Sequence, residues 1–192
     1  MSFVGDERGW FAGATQTASP NFDARPDGTA IELIVIHNIS LPPSEFGGHW
    51  IDDLFLNRLD PAAHPYFETI HTFEVSSHFL IRRDGTATQY VSCNDRAWHA
   101  GASEWRGRTR CNDFAIGIEL EGDDYSAFTD AQYKTLKQLT DALIKTYPSI
   151  ISIAGHSEIA PARKTDPGEY FDWPRYMEMA NIEAAWRKNV LD

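Results

Sequence analysis

Ile31-Glu-Leu-Ile-Val-Ile36, followed at once by His37-Asn38-Ile39-Ser40, is the stretch that decides the fold. Its nearly unbroken apolar run predicts a central strand covered on both faces. A histidine just past the end of such a strand sits where open α/β sheets carry their chemistry.

Further elements build outward from it. A helical pattern runs through Trp50, Ile51, Leu54, Phe55 and Leu59 and is stopped by Asp60-Pro61. Val75–Ile81 and Thr86–Val91 read as two strands joined at Arg83-Asp-Gly85, because Asp-Gly accepts the positive dihedrals a hairpin needs. The segment from Asn94 to Asn112 reads as a long loop rich in Arg and Trp, and the polar region from Gly13 to Gly28 as a surface wrap. Ala115–Glu121 is another strand, whose period of two puts Ile116, Ile118 and Leu120 on one face and Gly117, Glu119 and Glu121 on the other. Thr129 to Gln132 forms a capping box that opens a helix with an apolar stripe at Tyr133, Leu136, Leu139, Leu143 and Tyr147, ending before Pro148. A short strand over Ile150–Ala154 delivers Gly155-His156, and Asp172-Trp-Pro174 reads as a helix cap with an early proline. The expected fold is α/β: one domain over residues 1–192, a mixed central β-sheet flanked by helices, and a site in a surface cleft.

Composition narrows the function. The 192 residues are 42% hydrophobic, enough for one core. With 28 acidic against 17 basic residues the net charge is −11, which argues against a nucleic-acid or anionic-membrane partner and leaves an anionic substrate dependent on a local basic pocket. The N-terminus lacks the apolar core of a signal peptide and no run approaches membrane-spanning length, so a cytoplasmic location is expected; separately, the expected state is a monomer. Cys93 and Cys111 show no Cys-x-x-Cys spacing and read as isolated buried thiols.

The segment His156-Ser-Glu-Ile-Ala-Pro-Ala-Arg-Lys164-Thr-Asp166-Pro-Gly168 puts an imidazole, an ammonium and a carboxylate within one short span. With His37 it forms a two-histidine, one-aspartate set that suits zinc and leaves a fourth position for water. Taken singly, each histidine reads as a hydrogen-bonded structural residue and Asp166 before Pro167 as a turn former; the set carries the inference. His99, His78, His71, His64 and His49 compete as ligands, with His99 the one expected to line the cleft. No His-Glu-x-x-His string occurs, which sets aside the common helical zinc peptidases.

The strand-His37-Asn38 junction, Ser77–Gly85, Trp98-His-Ala-Gly101, Ile116–Gly122 and the His156–Gly168 segment, in that order, resemble the zinc-dependent N-acetylmuramoyl-L-alanine amidases. The resemblance runs from about Ile31 to Pro174, giving a catalytic core of about 31–174. Its nearest branch is that of cytosolic enzymes acting on anhydro-muropeptides in cell-wall recycling, favoured by an aspartate where many relatives carry cysteine. The resemblance implies His37, His156 and Asp166 as zinc ligands, Glu119 as catalytic carboxylate and Lys164 as the cation beside the reacting carbonyl. It also places Asn38, Trp98 and Arg110 on the muropeptide, with Arg108 as a further source of positive potential and Tyr66 at a position used elsewhere in the superfamily. Glu121 shares the Glu119 face and stays open as the working carboxylate. Two other readings share the cleft: a secreted wall-remodelling amidase, and a non-catalytic peptidoglycan-binding module.

Overall fold

The structure is a computed structural model that describes residues 2–187, so the two ends of the expected domain lie outside the described residues. Six strands form its main sheet: β1 (Thr15–Gln16), β2 (Leu33–Ile39), β3 (Phe79–Ile81), β4 (Ala87–Gln89), β5 (Ala115–Glu121) and β6 (Ser152–Gly155). Their spatial order is β6-β2-β5-β3-β4-β1. β2, β3, β5 and β6 run parallel, while β4 reverses through the hairpin and β1 pairs parallel to β4. The sheet is mixed, as expected.

Alternation along the two central strands separates the layers. Ile34 and Ile36 of β2 and Ile116, Ile118 and Leu120 of β5 pack with Leu136, Leu139 and Leu143 of helix α3 (Asp130–Thr146). Each of those three leucines is fully buried, worth roughly 1.5–3 kcal/mol of apolar transfer apiece. The opposite face is covered in two separate pieces. Leu33, Val35 and Ala115 meet Trp105, Cys111 and Phe114, whereas Leu80 belongs to a second cluster with Leu41, Leu54, Phe55, Phe67 and Ile70. The site opens between those pieces.

Chemically explicit signals held well. Thr129 Oγ1 accepts from the Gln132 amide and the Gln132 side chain accepts from the Thr129 amide, closing the capping box. Asp172 caps α5 (Trp173–Ala180) by accepting from the Arg175 amide at 3.0 Å. In the hairpin, Gly85 takes φ +84° and Asp84 accepts from the Thr86 amide.

Other boundaries need correction. β2 extends to Ile39, so His37 lies inside the strand, because parallel pairing with β5 continues to Glu121↔Ile39. The helix expected through Leu59 stops at Phe55 as α1 (Trp50–Phe55), with Asn57 turned to φ +56°. A one-turn helix, α2 (Pro65–Glu68), follows. The two hairpin strands are shorter than expected, since their outer residues pair outside regular ladders. Phe22–Ala24 pairs with Asp95–Ala97, so the polar wrap and the long loop are tied together. Glu104–Trp105 pairs with Arg108–Thr109 in that same loop. Within the wrap Arg25 is half-buried and donates to the carbonyl oxygens of Cys93, Asn112, Asp113 and Ala115, a role that composition could not reveal.

Candidate metal centre

Three strands bring the first groups together. His37 and Glu119 are register partners across β2 and β5, and Gly155 is the partner of Ile36. The next residue after Gly155, His156, opens the short helix α4 (His156–Ile159) beside His37. The Gly155 amide donates to Glu158 Oε2 at 2.6 Å, which ties the first turn of α4 to the strand end. Asp166 returns from the loop beyond α4, where its carbonyl accepts from the Ser157 amide at 2.8 Å.

The three side chains converge on one point. His37 Nδ1 lies 3.0 Å from His156 Nδ1, and each of these atoms lies 3.1 Å from Asp166 Oδ2. His156 Nε2 is 3.1 Å from the Ala100 carbonyl oxygen, which can only accept, so its proton sits on Nε2 and its Nδ1 presents a lone pair. His37 directs its own Nε2 at His99 Nδ1, 2.9 Å away. Burial pushes the His37 imidazole down to about 4 against the opposing pull of Asp166. Burial also works to raise Asp166, but hydrogen bonding from His156 and His37 and their charges together hold it well below the ordinary carboxylate range.

Glu119 adds a different chemistry. Its Oε1 lies 4.0 Å from His37 Nδ1 and its Oε2 is shielded from solvent without a protein partner. Burial, reinforced by the Asp166 charge, raises its pKa well above the usual value, and the Lys164 ammonium opposes the rise. Glu121 has no such freedom. It accepts from Arg82 at 3.0 Å and from the amides of Gly47 and Arg83 at 2.7 and 3.0 Å.

His37, His156, Asp166 and Glu119 line an open cleft of about 390 Å³ that also holds Asn38, Trp98, His99 and Lys164. The sequence model for N-acetylmuramoyl-L-alanine amidase matches residues 27–169. The chain belongs to that family. It is 56% identical over 178 residues to the 1,6-anhydro-N-acetylmuramyl-L-alanine amidase AmpD of Escherichia coli (strain K12), covering 92% of this chain and 97% of the relative. Identity to the AmpD of Haemophilus influenzae is also 56%, over 89% of this chain and 94% of the relative. Among solved structures, the crystal structure of a Se-Met AmpD derivative superposes with a TM-score of 0.89 at 56% identity, covering 92% of this chain and 98% of that one.

Within this amidase framework the remaining expected residues divide. Asn38 Nδ2 is already spent, donating to Asp124 Oδ1 at 2.8 Å and to the Pro167 carbonyl at 3.1 Å, so its Oδ1 is the part left for a ligand. Trp98 lines the cleft and is held by donating Nε1 to Asp23 Oδ1 at 3.2 Å. Tyr66 lines it too, and is partly exposed. Arg110 does not reach the cleft lining: it sits in a left-handed turn (φ 62°), its side chain 69% exposed and 3.4 Å from Asp113. Its charge still acts on Asp23, the partner of Trp98. Arg108 is committed elsewhere, paired with Glu32 at 3.0 Å and stacked on Phe114. Sequence reasoning missed the apolar wall of the cleft, made by Leu41, Pro43, Leu54, Phe55, Ile70, Phe73 and Val75. Phe73, 53% exposed, was a detectable signal, being a large apolar side chain in a turn-rich polar stretch.

Proposed function

We propose that the chain hydrolyses the amide between the lactyl carbonyl of anhydro-N-acetylmuramic acid and L-alanine in soluble muropeptides, with zinc held by His37, His156 and Asp166. One observation carries it: three donor atoms within 3.0–3.1 Å of one another, beside a buried carboxylate, in a cleft of an N-acetylmuramoyl-L-alanine amidase. The donor set fits the ion, because two imidazoles and a carboxylate are common zinc ligands and this spacing lets one ion lie about 2.0–2.2 Å from all three. When bound, zinc supplies a water acidified toward neutral pH and Lewis-acid polarisation of the scissile carbonyl.

The chain's own residues do the rest. Glu119, raised by burial, accepts the proton of the attacking water and returns it to the alanine amine as the bond breaks. Lys164 sets a fixed positive charge in the same cleft and stabilises the carbonyl oxygen as negative charge builds there. Asn38 offers Oδ1 to a donor on the substrate, and Trp98 with the apolar wall provides a flat surface for the sugar or peptide. Arg110 acts at the rim, where its charge attracts peptide carboxylates without entering the cleft. All of these groups come from one chain, so a monomer with a catalytic core of about 31–174 suffices, working where recycled muropeptides accumulate, in the cytoplasm. Among the described residues no helix is long and apolar enough to cross a membrane.

The test is mass-spectrometric identification of the bond cut in a defined anhydro-muropeptide, alongside its non-anhydro counterpart and purified sacculi. Release of intact peptide from the anhydro compound in preference to both is expected. Efficient digestion of sacculi without that preference would move the chain to wall remodelling.

A further inference from the structure

Two consecutive residues serve both histidines of the donor triangle from behind. His37 turns Nε2 to His99 Nδ1 at 2.9 Å, and His156 turns Nε2 to the carbonyl of Ala100 at 3.1 Å. Both backbone amides of this pair donate to a single atom, Asn112 Oδ1, at 3.2 and 2.8 Å. The His99 ring stands edge-on to His37, at 88° with centroids 5.0 Å apart. It also lies against Gly117 of β5, where a Cβ would fall 2.5 Å from His99 Cγ. A strand residue with any side chain would therefore push the imidazole off its place.

Proton bookkeeping gives the contact a direction. A ligating Nδ1 must present a lone pair, which puts the single proton of a neutral His37 on Nε2 and makes His99 Nδ1 the acceptor. Taking up that role leaves His99 with its proton on Nε2, an atom shielded from solvent without a partner. A buried N–H left unpaired costs stability, so its presence here asks for a compensating function.

We propose that His99 is a positioning residue for metal binding: with Ala100, and held by Asn112, it fixes the tautomer and ring orientation of both histidine ligands. This rests on the zinc reading above. It assigns His99 no contact with substrate and no part in proton transfer.

Zinc affinity measured by competition with a chromophoric chelator tests it, together with thermal unfolding of the metal-free proteins. His99→Leu removes the acceptor, and affinity should fall about 10–100-fold, the usual scale for losing an outer hydrogen bond to a ligand. His99→Asn places an amide oxygen where Nδ1 stood and should keep affinity within the same decade as the unaltered chain. Asn112→Ala should weaken zinc binding as His99→Leu does. In the zinc-loaded unaltered protein, ¹⁵N spectra should show the His37 proton on Nε2. Equal losses for the Leu and Asn variants with unchanged metal-free unfolding would overturn the proposal, as would full affinity in His99→Leu. Should His99→Leu fail to fold, a His37 proton found on Nδ1 overturns it by itself. Absence of zinc binding by the unaltered chain would instead sink the metal reading.

Discussion

His37 and Glu119 face each other as register partners on adjacent parallel strands, with Nδ1 and Oε1 4.0 Å apart. Backbone hydrogen bonds of the sheet, rather than loop packing, therefore set the distance between a proposed metal ligand and the proposed proton carrier. Sites built on strands hold such distances better than sites on loops.

Removing a vertex of the triangle should remove the metal. His156→Ala should lose most bound zinc and all measurable hydrolysis while the sheet stays folded, since His156 follows β6 rather than lying within it. Elemental analysis after dialysis gives the answer. Stoichiometric, tightly held zinc in that variant would refute the ligand assignment.

The two same-face carboxylates should separate cleanly. Glu119→Gln should retain zinc and slow turnover by about 10²–10⁴-fold, the scale of a lost general acid-base group. Glu121→Ala should do the opposite, lowering stability by about 1–3 kcal/mol as its buried donors lose their acceptor, with turnover per folded molecule largely kept. Chemical denaturation and steady-state rates on both variants decide between them, and a swap of the two phenotypes would move the catalytic role to Glu121.

Lys164→Ala should keep the metal and lose turnover by about 10²–10³-fold, because the charge it faces exists chiefly in the transition state. A raised Michaelis constant at unchanged turnover would make Lys164 a substrate-binding group instead.

Acid should destabilise the metal-free protein well before its surface carboxylates titrate. Burial, aided by the Arg25 charge, pushes His78 down to about 3. An unfolded histidine takes up its proton near 6.5, so between about 6.5 and 3 the unfolded state binds more protons and stability falls as pH falls. One such histidine contributes up to about 1.4 kcal/mol per pH unit in that window. His78→Asn, which keeps an acceptor for the Gly117 amide, should flatten the slope of unfolding free energy against pH, measured with chelator present. An unchanged slope would show that His78 is protonated in the folded protein.

What could be read from the sequence follows from which forces are local. Strand β5 matched residue for residue, because its alternation and its Gly-Glu pattern are self-contained. Thr129-Gln132 and Asp172 matched because capping is decided within one turn. His37, His156 and Asp166 were legible as a set through their residue types, yet their distances come from parallel pairing between segments far apart in sequence. Glu119 could not be told from Glu121 by periodicity, since both share a face and only Arg82 and two backbone amides, brought in from elsewhere, occupy one of them. The carbonyl contacts of Arg25 and the short pairings inside the 94–112 segment are likewise tertiary effects with no local signature.

The cleft separates catalytic hardware from grip. Its metal-binding side is anchored to β2, β5 and the 156–166 segment, whereas its apolar wall comes from residues 41–75, one contiguous stretch between β2 and β3 whose buried members pack on Leu80, Tyr90, Val91 and Ala97. Such an arrangement is modular. Changing the wall residues that face the cleft, while those packed on Leu80 are kept, would retune which ligand is held and leave the reactive centre in place, so diversification toward new cell-wall fragments has an obvious place to happen.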